Sequence, residues 1–195
     1  MQARAYHHGN LRQALVEAAL ELLERDGLAR ITLRGVAAHV GVSHAAPYAH
    51  FRDKDALLAA VAAEGFRRLQ ARLQESRAGA GPSGPSLARM GTAYVRFARA
   101  HPTLYASMFG RTPGPTGPCA ELDDAARSAW NELRTVIAGI FAEPEVHAAT
   151  VTAWALVHGL ASLLNEGLVR FDDEASLVEH VTRLFAERFV DRSLR

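Results

Sequence analysis

The chain has 195 residues, 22 Arg and Lys against 21 Asp and Glu, a formal charge of +1 and a single cysteine, Cys119. That length holds one or two small domains with an adequate core, and a lone cysteine excludes an intramolecular disulfide and fits a reducing cytosol. A charge near zero gives no bulk attraction to nucleic acid.

Charge is slightly uneven. Residues 1–54 carry seven Arg and Lys against five Asp and Glu, and five of the nine histidines, leaving 15 basic and 16 acidic residues for the remainder. The N-terminal part is therefore better suited to face a polyanion. Lys54 is the only lysine in the chain. MQARAYHHGN has no signal-peptide pattern, and no apolar run is expected to approach the roughly 18 residues of a membrane span, so a cytoplasmic location is expected.

Apolar residues recur at helical spacing and no strand pattern persists, so the expected fold class is all-α. The first helix is predicted over Leu11–Arg25, with Leu11, Leu15, Ala18, Ala19, Leu22 and Leu23 as its apolar stripe. Asn10 can cap it, with Gln13 three residues on, and Gly27 ends it. A short second helix follows Thr32 and carries Val36, Ala37 and Val40. Gly41 then supplies the positive φ that a tight turn needs. Ser43 is a good cap for a third short helix over 44–50, and a long fourth helix is expected from Lys54 to Arg77.

RAGAGPSGPS (77–86) reads as a loop. Further helices are expected over 87–100, stopped at His101-Pro102, and over 103–109, 120–142, 145–169 and 174–191. GRTPGPTGPC (110–119) holds three prolines and three glycines and is expected to be the most flexible stretch.

Two short helices joined by a Gly-containing turn fit a helix-turn-helix, whose second helix enters the major groove, or an ordinary helical corner. Pro47 is anomalous in that second helix. As the fourth residue after Ser43 it forfeits roughly one hydrogen bond. Either it replaces an apolar plug into the core, or it distorts the first turn and shifts His44 and Ala45.

ITLRGVAAHVGVSHAAPYAHFRDKDALLAAV resembles the DNA-binding domain of the TetR family of bacterial transcriptional regulators. The matching features are Gly27, Thr32 with Val36-Ala37, Gly41-Val42-Ser43, Tyr48-Ala49-His50-Phe51 and Lys54-Asp55-Ala56-Leu57. They cover about residues 8–60 in order and spacing. WALVHGLASL (154–163) and SHAAPY are similar to a branch with a Trp-His-Gly signature in its C-terminal domain. Gly35 departs from the Glu that members often carry three residues after the Thr cap, so the reciprocal half of a capping box is missing.

The resemblance implies a three-helix DNA-binding domain over residues 1–54 and a larger helical bundle over 55–195 for effector binding and dimerisation. It implies a double-stranded DNA operator, an unidentified small-molecule effector and a homodimer through the last two helices, with no cofactor. Tyr48 matches the family's phosphate contact, or else packs in the core. Lys54 stands in a helix's first turn, where the dipole disfavours cations, and an outside phosphate supplies a reason for it. Thr32 and Ser43 are caps that can also reach phosphates. Arg34, His44, Ala45 and His50 are the groove candidates, with His50 also a phosphate contact or simply exposed.

Tyr94, Phe97, Met108, Trp130, Trp154 and His158 are the candidate effector-binding residues, each of them also readable as core. The loop at 110–119 is placed to gate that pocket, and the long fourth helix to pass a shift on to the recognition helices. Leu177, Val181, Leu184 and Phe185, with the many small residues of 146–164, suit an association surface. No His-Glu-x-x-His, Gly-rich phosphate loop or Gly-x-Ser-x-Gly is present, no histidine pair has metal-ligand spacing on a helix, and no enzyme is expected. The alternatives are an activator, and a helical ligand-binding or scaffold protein that touches no DNA. Cys119 is a further candidate as a redox-sensing thiol.

Overall fold

The computed structural model describes residues 11–109 and 119–191. The Asn10 cap and the loop over 110–118 therefore lie outside the described residues. Every regular element among them is helical: α1 (Leu11–Asp26), α2 (Leu33–Val40), α3 (Lys54–Ser76), α4 (Gly84–Ala100), α5 (Pro102–Phe109), α6 (Ala120–Ala138), α7 (Val146–Asn165) and α8 (Glu174–Asp191). Two 3₁₀ turns, Leu28–Arg30 and Ala46–Ala49, complete the order.

Packing divides the chain into two units. The first runs through Gly65 and takes in Thr103–Asp123; the second holds Phe66–Pro102 and continues from Asp124. Both α3 and α6 contribute residues to each unit. The first unit buries Leu15, Val16, Leu20 and Leu23 of α1, Val36 and Ala37 of α2, and Leu57 and Val61 of α3. Val16 and Leu20 join the stripe read from sequence, whereas Leu22 is only half-buried. Truncating a side chain as enclosed as Leu15 or Leu23 costs about 2–5 kcal/mol. Met108 and Leu104 of α5 lie where a Cβ on Gly65 would stand, at 2.7 and 3.0 Å, so a glycine there lets α5 approach α3.

The second unit is a bundle in which α4 packs on α7 and α8. Leu87, Ile137, Val146, Ala149, Ala153 and Ala186 form its core, edged by Phe141, Phe185 and Phe189. Phe185 stacks on Phe189 at 4.5 Å, and Phe189 meets Phe141 at 4.9 Å.

Helix ends follow local chemistry. Thr32 accepts from the Gly35 N–H at 2.9 Å, and Asp53 from Ala56 at 2.8 Å, as N-caps of α2 and α3. α4 starts three residues earlier than expected, because Ser83 caps it through Ser86 N–H and Pro85 falls in the first turn, where its missing donor costs nothing. α7 ends earlier than expected, at Asn165. Gly167 takes a φ of 68°, and the Leu168 and Gly167 N–H groups close on Leu163 and Leu164 oxygens at 3.0 and 3.2 Å, a Schellman ending. α6 stops at Ala138 rather than near 142, in a tightened turn where Ile140 N–H reaches Ile137 O at 2.9 Å.

α7 corrects a further expectation. Its 20 residues include no Asp, Glu, Lys or Arg, and its mean hydropathy of 1.3 makes it long and apolar enough to cross a membrane by length and composition alone. In this fold it is a bundle helix, with Ala149, Ala153, Val157, Ala161 and Leu164 buried.

Candidate nucleic-acid interface and effector site

The helix-turn-helix region is built as the sequence suggested, with one change. α2 closes at Gly41, whose φ of 81° lets the N–H groups of Gly41 and Val42 bond back to Ala38 and Ala37 oxygens at 3.2 and 3.0 Å. The expected α-helix over 44–50 is instead a turn at 44–45 and a 3₁₀ segment, Ala46–Ala49, preceded by Ala45 with no side-chain cap. Ser43 does not cap it. Its carbonyl takes the Ala46 N–H at 3.0 Å, a bond to the third residue on. A proline nitrogen has no hydrogen for that carbonyl, and the tighter hydrogen bonding removes the need for one. Pro47 is buried, and its carbonyl accepts from both His50 and Phe51, at 3.0 and 2.9 Å. It therefore plugs the recognition turn into the core.

The outward face holds most of the predicted DNA-contacting residues. Thr32, Arg34, Ser43, His44, Ala45, Tyr48 and His50 are all exposed, Tyr48 at 51%. Phe51, three residues after Tyr48, is 2% exposed, so the two do not share a face. Lys54 is half-buried and donates from Nζ to the Leu28 carbonyl at 3.2 Å. That bond gives a cation in a helix's first turn a partner within the chain. His39 and Glu21 pair at 2.9 Å between α2 and α1.

In the second unit, four of the predicted effector residues come together. Trp154 Nε1–H donates to the Tyr94 hydroxyl at 3.1 Å, and that hydroxyl lies 3.1 Å from His158 Nδ1. An indole nitrogen only donates, so the phenol oxygen accepts from Trp154. Burial pushes the His158 pKa below the usual histidine range, which keeps the ring neutral near neutral pH. Trp130 of α6 meets Trp154 edge-on at 5.1 Å and His147 at 6.2 Å.

Phe97 and Met108 are placed differently. Phe97 packs on His101 at 5.2 Å and lines an open groove of about 1330 Å³ along α4 and α8. That groove carries Arg89, Arg96, Arg183 and Thr182 on its walls and was not foreseen, since its residues lie far apart in sequence. Met108 belongs to the first unit, over Gly65. Glu132 was also missed. Burial would raise its carboxyl pKa, but hydrogen bonds from Arg77, Gln70 and Gln74 outweigh this and hold it below the usual range. Those bonds span 2.5–3.1 Å and tie α6 to the last turns of α3 and to Arg77 just after it. Cys119 is half-buried just before α6, and no group of three or more His, Cys, Asp or Glu suited to a metal occurs among the described residues.

Comparison with known proteins agrees with this arrangement in both halves of the chain. The model of bacterial regulatory proteins of the tetR family matches residues 15–61, and that of the tetracyclin repressor-like C-terminal domain matches residues 87–185. An uncharacterized HTH-type transcriptional regulator of Mycobacterium tuberculosis is 30% identical over 179 residues, 90% of this chain and 80% of that one. A protein of unknown function from Rhodococcus sp. RHA1 is similar in structure, with a TM-score of 0.80 and 34% identity over 99% of this chain and 100% of that one. The TetR family transcriptional regulator PfmR from Thermus thermophilus shares the fold, with a TM-score of 0.61 and 19% identity, over 92% and 95% of the two chains. The chain belongs to the TetR family of bacterial regulatory proteins and is a DNA-binding transcriptional regulator.

Proposed function

We propose that the chain is a ligand-responsive repressor, a homodimer that binds an inverted-repeat operator and releases it when a small molecule occupies the second unit. One observation carries the DNA half of this reading. Thr32, Arg34, Ser43, His44, Ala45, Tyr48 and His50 all face solvent on a segment whose Val36, Ala37, Pro47 and Phe51 are buried. In this reading residues 1–54 bind DNA. Tyr48, Lys54, Thr32, Ser43 and His50 contact phosphates, and Arg34, His44 and Ala45 face the bases.

Residues 55–195 then serve effector binding and dimerisation. The neutral cluster of Tyr94, Trp130, Trp154 and His158 suits a largely apolar, uncharged effector. Its occupancy is passed on through the helices that contribute to both units. Val151, Ala155, Gly159 and Leu163 recur every four residues along α7, with Val151 45% and Leu163 41% exposed. With Leu184 of α8, such a stripe suits a second copy of the chain. No enzyme activity is assigned, and the cytoplasm is the compartment where such a regulator meets DNA.

A mobility shift with the gene's own upstream region tests the reading. The expected result is a retarded complex whose protected segment is an inverted repeat. Binding no tighter than to random duplex, at about physiological salt, would overturn it.

A further inference from the structure

Arg12 lies in the first turn of α1, where the helix dipole disfavours a cation. Its guanidinium makes two contacts that offset this. Nη1 lies 3.4 Å from Oε1 of Glu121 and Nη2 bonds Oε2, a two-pronged pair across 109 residues of sequence. The guanidinium carbon stands 5.2 Å from the centroid of the Phe51 ring.

Each partner has a definite place in the molecule. Phe51 is 2% exposed and closes the recognition turn, its N–H donating to Pro47 O at 2.9 Å. Glu121 stands in the first turn of α6, and the same helix carries Trp130, whose ring meets Trp154. One guanidinium is thus held between the residue that ends the recognition turn and the helix that bears an indole of the aromatic cluster.

We propose that Arg12 is a positioning residue for DNA recognition. It seats Phe51, and with it the Ala46–Ala49 turn, in register with α6. Operator binding and the state of the Trp130–Trp154 pair are thereby linked through the Arg12–Glu121 pair. The inference rests on the effector reading above only for what would move α6 in the cell; the link itself needs no effector. Linkage is reciprocal, so DNA binding must alter the surroundings of Trp130 and Trp154. These are the only two tryptophans in the chain, so indole emission reads this pair alone.

The test titrates the full chain with its tightest-binding duplex, selected from a random library, and records indole emission beside a mobility shift. In the wild type the emission changes saturably, with the same midpoint as the shift. Glu121→Gln keeps the guanidinium over Phe51 but loses the charge pair; it binds DNA within about threefold of wild type and loses most of the emission change. Arg12→Gln loses both contacts, binds roughly three- to tenfold more weakly, and shows no emission change. The exchange Arg12→Glu with Glu121→Arg restores the charge pair but neither the affinity nor the emission change, because a carboxylate over a ring face is repelled by its quadrupole and Phe51 is no longer held.

A purely structural role would lower the unfolding temperature without separating these readouts. Arg12 and Glu121 side chains are 40% and 29% exposed, so neither variant opens the core, and far-ultraviolet helix content checks this. An unchanged emission in wild type at saturating DNA, or a full wild-type response in Glu121→Gln, would overturn the proposal. A ligand that releases DNA without touching Trp130 or Trp154 would overturn the effector reading and leave this response in place.

Discussion

Arg99 of α4 holds Glu174 of α8 with both prongs, Nε to Oε1 at 2.7 Å and Nη2 to Oε2 at 2.9 Å. Its remaining nitrogen donates to the Leu164 carbonyl at 3.2 Å and to Asn165 Oδ1 at 3.1 Å, at the end of α7. One side chain therefore fixes the elbow between the last two helices. Both side chains are 36% exposed, so solvent screens the charge term, and the carbonyl bond adds to it. Arg99→Ala is expected to lose about 1–2 kcal/mol in urea unfolding. Arg99→Lys should recover little, since an ammonium cannot reproduce the planar fork. Full recovery by lysine would show that charge alone matters there.

Gly159 tests the association surface cleanly. A Cβ there would meet nothing within 4 Å inside the chain. In an isolated subunit Gly159→Ala should stabilise α7 by about 1 kcal/mol through helix propensity. Against a closely packed second α7 the same methyl group should weaken association, and Gly159→Leu should do so more strongly. Sedimentation across a concentration series reads the difference. Dimers of wild-type strength in Gly159→Leu would move the interface away from the Val151–Leu163 stripe.

The His158 ring carries a sign for pH. Its folded-state pKa lies below the ordinary value, so between the two values the unfolded chain binds more protons and stability rises with pH. Stability should be level above about pH 6.5 and fall as the pH drops below it. In His158→Gln the fall in unfolding temperature between about pH 7 and 5 should be smaller. Parallel curves for the two proteins would assign the acid sensitivity to other groups.

Lys54 separates a phosphate contact from a structural bond. Lys54→Ala should weaken binding to operator and random DNA alike, and lower the slope of log affinity against log salt by about 0.9 per subunit. Its bond to the Leu28 carbonyl gives the competing outcome. A lower unfolding temperature with an unchanged salt slope would confine Lys54 to holding the Leu28–Arg30 turn.

What the sequence determined by itself is what short-range chemistry controls. Thr32 and Asp53 as caps, Gly27 and Gly41 as stops, and the apolar spacing of α1 and α3 each involve neighbours within a turn or two of chain. The order and spacing of these features over about fifty residues were enough to identify the DNA-binding half.

Tertiary structure decided matters in which two distant segments compete for the same group. Pro47 is compatible with a distorted α-helix or a 3₁₀ turn, and burial of its ring goes with the 3₁₀ turn, because the shorter hydrogen bonds leave no orphaned carbonyl at Ser43. Tyr94 and Phe97 are three residues apart on one helix, yet the first bonds His158 and Trp154 while the second lines the groove beside α8. Only the packing of α7 and α8 onto α4 separates them. Glu132 looks like one more surface acid in sequence. It becomes the anchor of α6 once Gln70 and Gln74 of α3 and Arg77 just after it reach it, because a partly buried carboxylate needs donors that local sequence does not supply.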